Sequence, residues 1–334
     1  MSITDWPFYI NFAIFSVFLT LFISELMGGI LLLLFYDASK KKVLPYIVPI
    51  WEVTGTFAAF WVVTADFAYP ALIPAVAALF PAAIIVFLIF LVVRNSSISF
   101  AEYIITRRWV NEKRLYQAYG VATLLIALVV LLVLSSIVGG AGVNLSPIAF
   151  NFGAWLTDPA TLPYLVGVVI IAVGLAPVFY DLEAFRRLTL PLTVVGVLVE
   201  IGALAMISRT FLAWPLVLAS LLTVAAAALY QSRRTAPIVT NKVVLGVLSV
   251  VIVFSLNYLV YPTAFVHADH GPLTVNSVTT TGPMVGAFDA LSVAGGIIVG
   301  GLMVLYMVAA YRKDSSAGGG AASSPATSAP VKGP

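Results

Sequence analysis

Residues 8–35 read FYINFAIFSVFLTLFISELMGGILLLLF. One residue of this stretch, Glu25, carries a formal charge. A helix that crosses a bilayer needs about 20 mostly apolar residues, and this run exceeds that length. It does not read as a cleavable signal peptide. Asp5 and no basic residue precede it, no clear cleavage site follows, and the apolar run is too long. Working outward, eight further apolar stretches lie at roughly residues 46–65, 72–93, 116–139, 163–180, 189–207, 210–230, 241–261 and 285–310. The sequence therefore predicts an all-α polytopic membrane protein. Residues 1–313 form a single transmembrane domain of about nine helices. A low-complexity tail over residues 314–334 is expected to be a disordered cytoplasmic segment.

Composition agrees with that reading. Of 334 residues, 61% are hydrophobic and 9% are Asp, Glu, Lys or Arg. Soluble domains carry about a quarter charged residues, so this chain lacks the polar surface such a fold requires. A soluble globular protein, a disordered chain and a nucleic-acid binder are all excluded. The absence of cysteine removes disulfides, thiolate chemistry, iron–sulfur clusters and cysteine-ligated zinc.

Basic residues set the orientation. Lys40, Lys41 and Lys42 follow the first span; Arg94, Arg107, Arg108, Lys113 and Arg114 follow the third. Arg186 and Arg187 follow the fifth, Arg233, Arg234 and Lys242 the seventh, and Arg312, Lys313 and Lys332 the ninth. Only Arg209 falls on the other side. The positive-inside rule then places the N-terminus outside and the C-terminus in the cytoplasm, and an even number of spans would break the alternation.

Carboxyl groups at bilayer depth are costly, which makes the few present informative. Glu25 and Glu52 fall in the cytoplasmic half of spans one and two, and Glu200 near the middle of span six. Asp66 and Asp289 sit near the outer ends of spans two and nine, and Arg94 is expected to end span three at the cytoplasmic face. Gly28 and Gly29 follow Glu25 at i+3 and i+4, and Gly55 and Thr56 follow Glu52 at the same offsets. These positions share a helix face, so each glutamate looks over a surface of little bulk that leaves room for water or a neighbouring helix. Two readings stand side by side. The glutamates either hold helices together or relay protons from the cytoplasm.

A haem held within the bilayer needs axial ligands there. The two histidines, His267 and His270, lie in an outer loop, and methionines 27, 206, 284, 303 and 307 read as packing residues. No third ligand accompanies the histidine pair, so no metal or cofactor site is assigned. No phosphate-binding loop, dinucleotide fingerprint or nucleophile motif is present. Residue chemistry alone fits a transporter as well as a redox subunit.

The stretch from Ser24 to Arg94 resembles subunit II of the cytochrome bd-type quinol oxidases. That family carries an acidic residue in a Phe-Asp-Leu-Gly-Val-Gly type motif on its first helix; here the segment is Ser24-Glu25-Leu26-Met27-Gly28-Gly29. A short basic loop, Asp37 to Lys42, precedes a Pro-x-Trp-acid motif, here Pro49-Ile50-Trp51-Glu52. Tyr69-Pro70 matches an aromatic-Pro turn, and Leu91-Val92-Val93-Arg94 with Phe100 matches the end of the third helix. Two features depart from the pattern. Both motif acids are glutamate where aspartate is commoner, and Val53-Thr54-Gly55-Thr56-Phe57 lacks the family's second acid. The chain thus looks like a divergent member, with the C-terminal two thirds similar in topology alone.

The resemblance implies a haem-free subunit of a quinol:oxygen oxidoreductase in the plasma membrane, not catalytic by itself. Haem b and haem d would belong to the partner, subunit I, and quinol from the quinone pool would be the substrate of the complex. Glu25 and Glu52 would be proton-relay groups. Trp51, Arg94, Gly28, Gly55 and Glu200 would be path-lining or structural. Two rivals remain at this point. One is a proton-coupled secondary transporter using Glu25 and Glu52, in which Glu200-Ile201-Gly202 weakly echoes Glu52 to Gly55. The other is a scaffold subunit with inert glutamates.

Overall fold

The computed structural model describes residues 6–103, 111–259, 263–269, 273–274 and 284–319. The chain is a helical bundle that opens with α1 (Trp6–Ala68), which is assigned as one continuous helix. Phe35 interrupts it with φ −131° and ψ 41°, and the two limbs run back along each other. Asn11 Nδ2 donates to Thr64 Oγ1 at 3.3 Å, and the Phe15 and Trp61 rings stack with centroids 4.4 Å apart. Near the turn, Gly28 packs directly on Ile47. Ser39 Oγ reaches the carbonyls of Leu31 and Phe35 across the bend, at 3.1 and 2.8 Å. These contacts make a helical hairpin, so α1 supplies two crossings.

After α2 (Leu72–Leu79), Phe80 leaves helical geometry (φ −122°, ψ 43°) immediately before Pro81, where α3 (Pro81–Tyr103) begins. The apolar run over residues 72–93 suggested a single span. Proline lacks an N–H and crowds the residue before it, so the chain breaks there and the membrane helix starts later. It also ends later, nine residues beyond Arg94. Next comes α4 (Glu112–Gly139), capped by the Asn111 side chain, which accepts from Lys113 N at 2.9 Å.

At the far end of α4, Gly140 adopts φ 77°. A Cβ there would lie 2.6 Å from Ala268 N, so the position also needs glycine for space. The outer segment closes over this end. Phe265 N donates to Ile137 O at 2.7 Å and His267 N to Gly139 O at 2.8 Å, satisfying carbonyls that the helix leaves unpaired.

A small hairpin, β1 (Val143–Leu145) with β2 (Ile148–Phe150), and α5 (Phe152–Thr157) complete this outer cap. Four more long helices follow: α6 (Thr161–Tyr180), α7 (Arg186–Ile207), α8 (Trp214–Gln231) and, after the short α9 (Ala236–Val239), α10 (Lys242–Leu259). A second antiparallel pair, β3 (Thr263–Ala264) with β4 (Leu273–Thr274), precedes α11 (Met284–Gly319). Among the described residues eight helices are long and apolar enough to cross a bilayer. With α1 counted as two limbs, the described residues make nine crossings.

Small residues let the helices approach. A Cβ at Gly167 would lie 2.9 Å from Glu200 N, and one at Gly174 2.9 Å from Thr193 N, so α6 and α7 pack almost backbone to backbone. Likewise Gly120 of α4 crosses Gly29 of α1, where an added Cβ would come within 2.6 Å of the Gly29 carbonyl oxygen. The bundle interior is apolar, with buried tyrosines among its aliphatic side chains (Tyr116, Tyr119, Tyr180 and Tyr230), while Val92, Leu198 and Ile297 face outward.

Lys42, Lys113, Arg186 and Lys242 gather at one end of the bundle. There Lys42 pairs with Asp181 at 3.0 Å and Lys113 with Asp37 at 2.6 Å. This is the cytoplasmic end by the positive-inside rule. The N-terminus therefore lies outside and the C-terminus in the cytoplasm.

Gly120→Ala is expected to lower stability by about 1–3 kcal/mol, because the new methyl meets a backbone oxygen that cannot yield easily. Gly202→Ala, at a position with nothing within 4 Å, should leave stability unchanged or slightly raised. Thermal unfolding of the two detergent-purified variants distinguishes these outcomes.

Candidate functional site

Glu25 lies ten residues before the Phe35 turn, about 15 Å into the bundle at 1.5 Å per residue. Its side chain is fully buried, and that of Arg94 on α3 is nearly so. The two form an ion pair through Arg94 Nη2 and Glu25 Oε1. From α4, Tyr119 Oη donates to the same oxygen at 2.6 Å. The Arg94 guanidinium carbon stands 5.6 Å from the centre of the Tyr119 ring, a cation–π distance. Arg94 Nη1 also donates to Asn95 Oδ1 at 3.1 Å. One site thus joins α1, α3 and α4.

This corrects the expected position of Arg94. It does not end a helix at the membrane face but sits inside the bundle, because α3 continues for two and a half turns and carries Arg94 back to the depth of Glu25. Glu25 Oε2 and Arg94 Nε are buried without a hydrogen-bond partner. One acceptor and one donor of the pair are therefore uncommitted. Chemically, the cluster holds a fixed charge pair beside a tyrosine hydroxyl able to pass a proton to or from Oε1.

The glycines after Glu25 make close helix contacts rather than open space. A Cβ on Gly28 would collide with Ile47 and the Tyr180 hydroxyl, and one on Gly29 would lie 3.1 Å from Thr123 Cγ2. Tyr180 Oη donates to Ser24 O at 2.5 Å, tying α6 to the same turn of α1.

Glu52 lies at about the depth of Glu25, since Gly28 meets Ile47 across the hairpin, but it is not buried. It is exposed on the outside of the chain and accepts from Tyr103 Oη of α3 at 3.2 Å. Gly55 has nothing within 4 Å of its would-be Cβ, and Thr56 beside it is exposed. Trp51 is half-buried against the cytoplasmic core. The two glutamates are therefore not one cluster.

Glu200 is separate from both. Buried on α7, its Oε2 lies 2.8 Å from where a Cβ of Gly167 would be and has no hydrogen-bond partner. It stands seven residues, about 10 Å, from the outer end of α7. Asp66 is exposed and Asp289 half-buried, both toward the outer end. His267 is exposed in the outer loop, with its backbone N–H on Gly139 O. His270 lies outside the described residues. Among the described residues no group of three or more His, Cys, Asp or Glu could hold a metal ion.

Hydropathy and charge do not mark Tyr103, Tyr119 or Tyr180, but Tyr116 and Tyr119, at i and i+3, put two hydroxyls on one face of α4, a pattern visible in the sequence.

No protein-family model matches the chain, and no curated protein matches it. Among solved structures, it is similar to a chain of the bd oxidase from Geobacillus thermodenitrificans. The TM-score is 0.69 at 20% identity, covering 92% of this chain and 98% of that one. At that identity the likeness establishes a shared fold: this chain has a bd-oxidase-like membrane fold.

Breaking the ion pair from one side should be severe. Arg94→Leu strands a buried carboxylate and is expected to cost about 3–5 kcal/mol. The double variant Glu25→Leu/Arg94→Leu should recover much of that loss, as buried pairs replaced by apolar residues often do. Unfolding of the single and double variants in detergent measures the coupling.

Proposed function

We propose that this chain is the haem-free subunit II of a bd-type terminal quinol oxidase in the plasma membrane. The observation that carries this reading is the bd-oxidase-like fold along 92% of the chain. The N-terminal motif residues also converge within that fold: Glu25 of the first motif and Arg94 of the last are in contact. In this role the chain stabilises the haem-bearing subunit I, which holds haem b and haem d. It also supplies a cytoplasmic proton path for reduction of oxygen to water. Quinol is the substrate of the complex and is oxidised toward the outer face.

The placement of Glu52 supports a heteromeric assembly. A carboxyl group exposed on the apolar exterior at bilayer depth is costly against lipid, and a protein neighbour removes that cost. Glu52 on this face and Glu25 within the bundle are the proposed relay groups. Tyr119 is the hydroxyl through which Glu25 exchanges its proton. Gly28 and Gly55 shape the two faces, and Trp51, Arg94 and Glu200 are structural. A secondary transporter would place its coupling groups around one mid-membrane cavity. The two glutamates, one buried on Arg94 and the other exposed beside Tyr103, do not favour that.

Purification of the tagged chain from its own membranes is expected to bring down a subunit carrying haem b and haem d, with quinol-dependent oxygen consumption. Glu52→Gln, neutral and nearly isosteric, should slow oxygen consumption by about tenfold or more while leaving the haem spectrum unchanged. Full consumption in that variant would remove Glu52 from the relay, and absence of a haem subunit would overturn the assignment.

A further inference from the structure

At the cytoplasmic end a pocket of about 320 Å³ opens between the α1 turn and the α6–α7 connection. Phe35, Ser39 and Lys42 line one side, and Asp181, Glu183 and Phe185 the other. Its volume is at the lower end of the range of small-molecule sites. The walls divide by chemistry. Phe35 and Phe185 pack with ring centroids 5.4 Å apart. Leu34 and Leu188, one and three positions deeper toward the membrane, are both exposed. The opposite rim is charged. Lys42 Nζ lies 3.0 Å from Asp181 Oδ2, and Arg186 Nη2 lies 3.9 Å from Asp181 Oδ1 and 3.3 Å from Glu183 Oε1.

This end of the bundle is the cytoplasmic membrane boundary, where phospholipid headgroups lie. The lining itself carries Lys42 against Asp181 and Glu183, and Arg186 stands behind the two carboxylates, paired with both. A phosphate alone would meet two carboxylates, and an ammonium alone would meet Lys42. A headgroup carrying both charges complements the rim. The carboxylate oxygens accept hydrogen bonds, which a primary ammonium can donate and a trimethylammonium cannot. We propose that this pocket seats the headgroup of one phosphatidylethanolamine of the cytoplasmic leaflet. Its phosphate meets Lys42, its ammonium meets Asp181 and Glu183, and its acyl chains descend past Phe35 and Phe185 along Leu34 and Leu188. The lipid would brace the α1 turn against the α6–α7 connection, whose Asp181 holds a left-handed backbone at φ 48°. The proposal is independent of the enzymatic reading.

The full chain, purified with whatever subunits accompany it and stripped of lipid, is the material for the test. Native mass spectrometry and thermal unfolding are recorded with phosphatidylethanolamine, phosphatidylcholine, phosphatidylglycerol or inorganic phosphate added. Phosphatidylethanolamine is expected to be retained as one tight equivalent and to raise the unfolding temperature more than the other three. Lys42→Met should weaken that retention by about tenfold, the scale of one charge-assisted hydrogen bond. Asp181→Asn keeps a residue that tolerates a left-handed backbone, and should turn the preference toward phosphatidylglycerol. Lys41→Met, which alters a neighbouring exposed lysine outside the pocket, should change neither. Equal retention of phosphatidylcholine or phosphatidylglycerol by the unaltered chain would overturn the proposal. So would indifference to both pocket substitutions, and an equal shift with inorganic phosphate would make the pocket an anion site rather than a lipid site.

Discussion

Glu25 and Arg94 meet inside a membrane bundle, where neither charge has water to fall back on. The desolvation cost of two such charges is several kcal/mol each, and it is offset only when they lie against each other with further donors in place. Arg94 supplies the countercharge and Tyr119 the second donor to the same oxygen. Satisfying this one group places three helices. The first limb of α1 must present residue 25, α3 must run far enough toward the cytoplasm to bring Arg94 level with it, and α4 must lie close enough for a tyrosine to reach. The Gly29–Gly120 crossing supplies that closeness.

The other polar groups of the interior follow the same constraint. Nothing polar is gained by facing lipid, so tyrosine hydroxyls and backbone carbonyls turn inward and find one another. Tyr180 Oη reaches Ser24 O, and Lys242 Nζ reaches Phe179 O at 2.6 Å where α6 ends. Glu52 is the exception, an acid on the outer surface of the chain beside Thr56 and Tyr103. In the proposed complex this exception is the face at which a neighbouring subunit completes the environment that Glu25 obtains within its own chain.

The hairpin in α1 was legible in outline. The basic Lys40 to Lys42 separates two apolar stretches, and an odd number of crossings follows from the alternation of charge. The start of α3 was not, because the apolar run continues unbroken from residue 72 while the backbone breaks at Phe80 on account of Pro81. At the site, Glu25 stood out because a charge inside an apolar run is conspicuous. Tyr119 did not, because a tyrosine near the end of a membrane helix is ordinary, and only its distance to Glu25 makes it special.

By itself, then, the sequence determined the membrane class, the orientation and the short set of residues expensive enough to matter. Hydropathy and charge act locally, residue by residue, against a solvent whose thickness and sidedness are set in advance. The tertiary structure decided which of those residues meet. Glu25 with Arg94 inside, Glu52 outward, and Glu200 buried against Gly167 are matters of helix rotation and extent. A turn of 100° per residue moves a side chain from core to exterior with no change in hydropathy. That rotation is set by packing between helices distant in sequence, which is why it became visible only once the bundle was assembled.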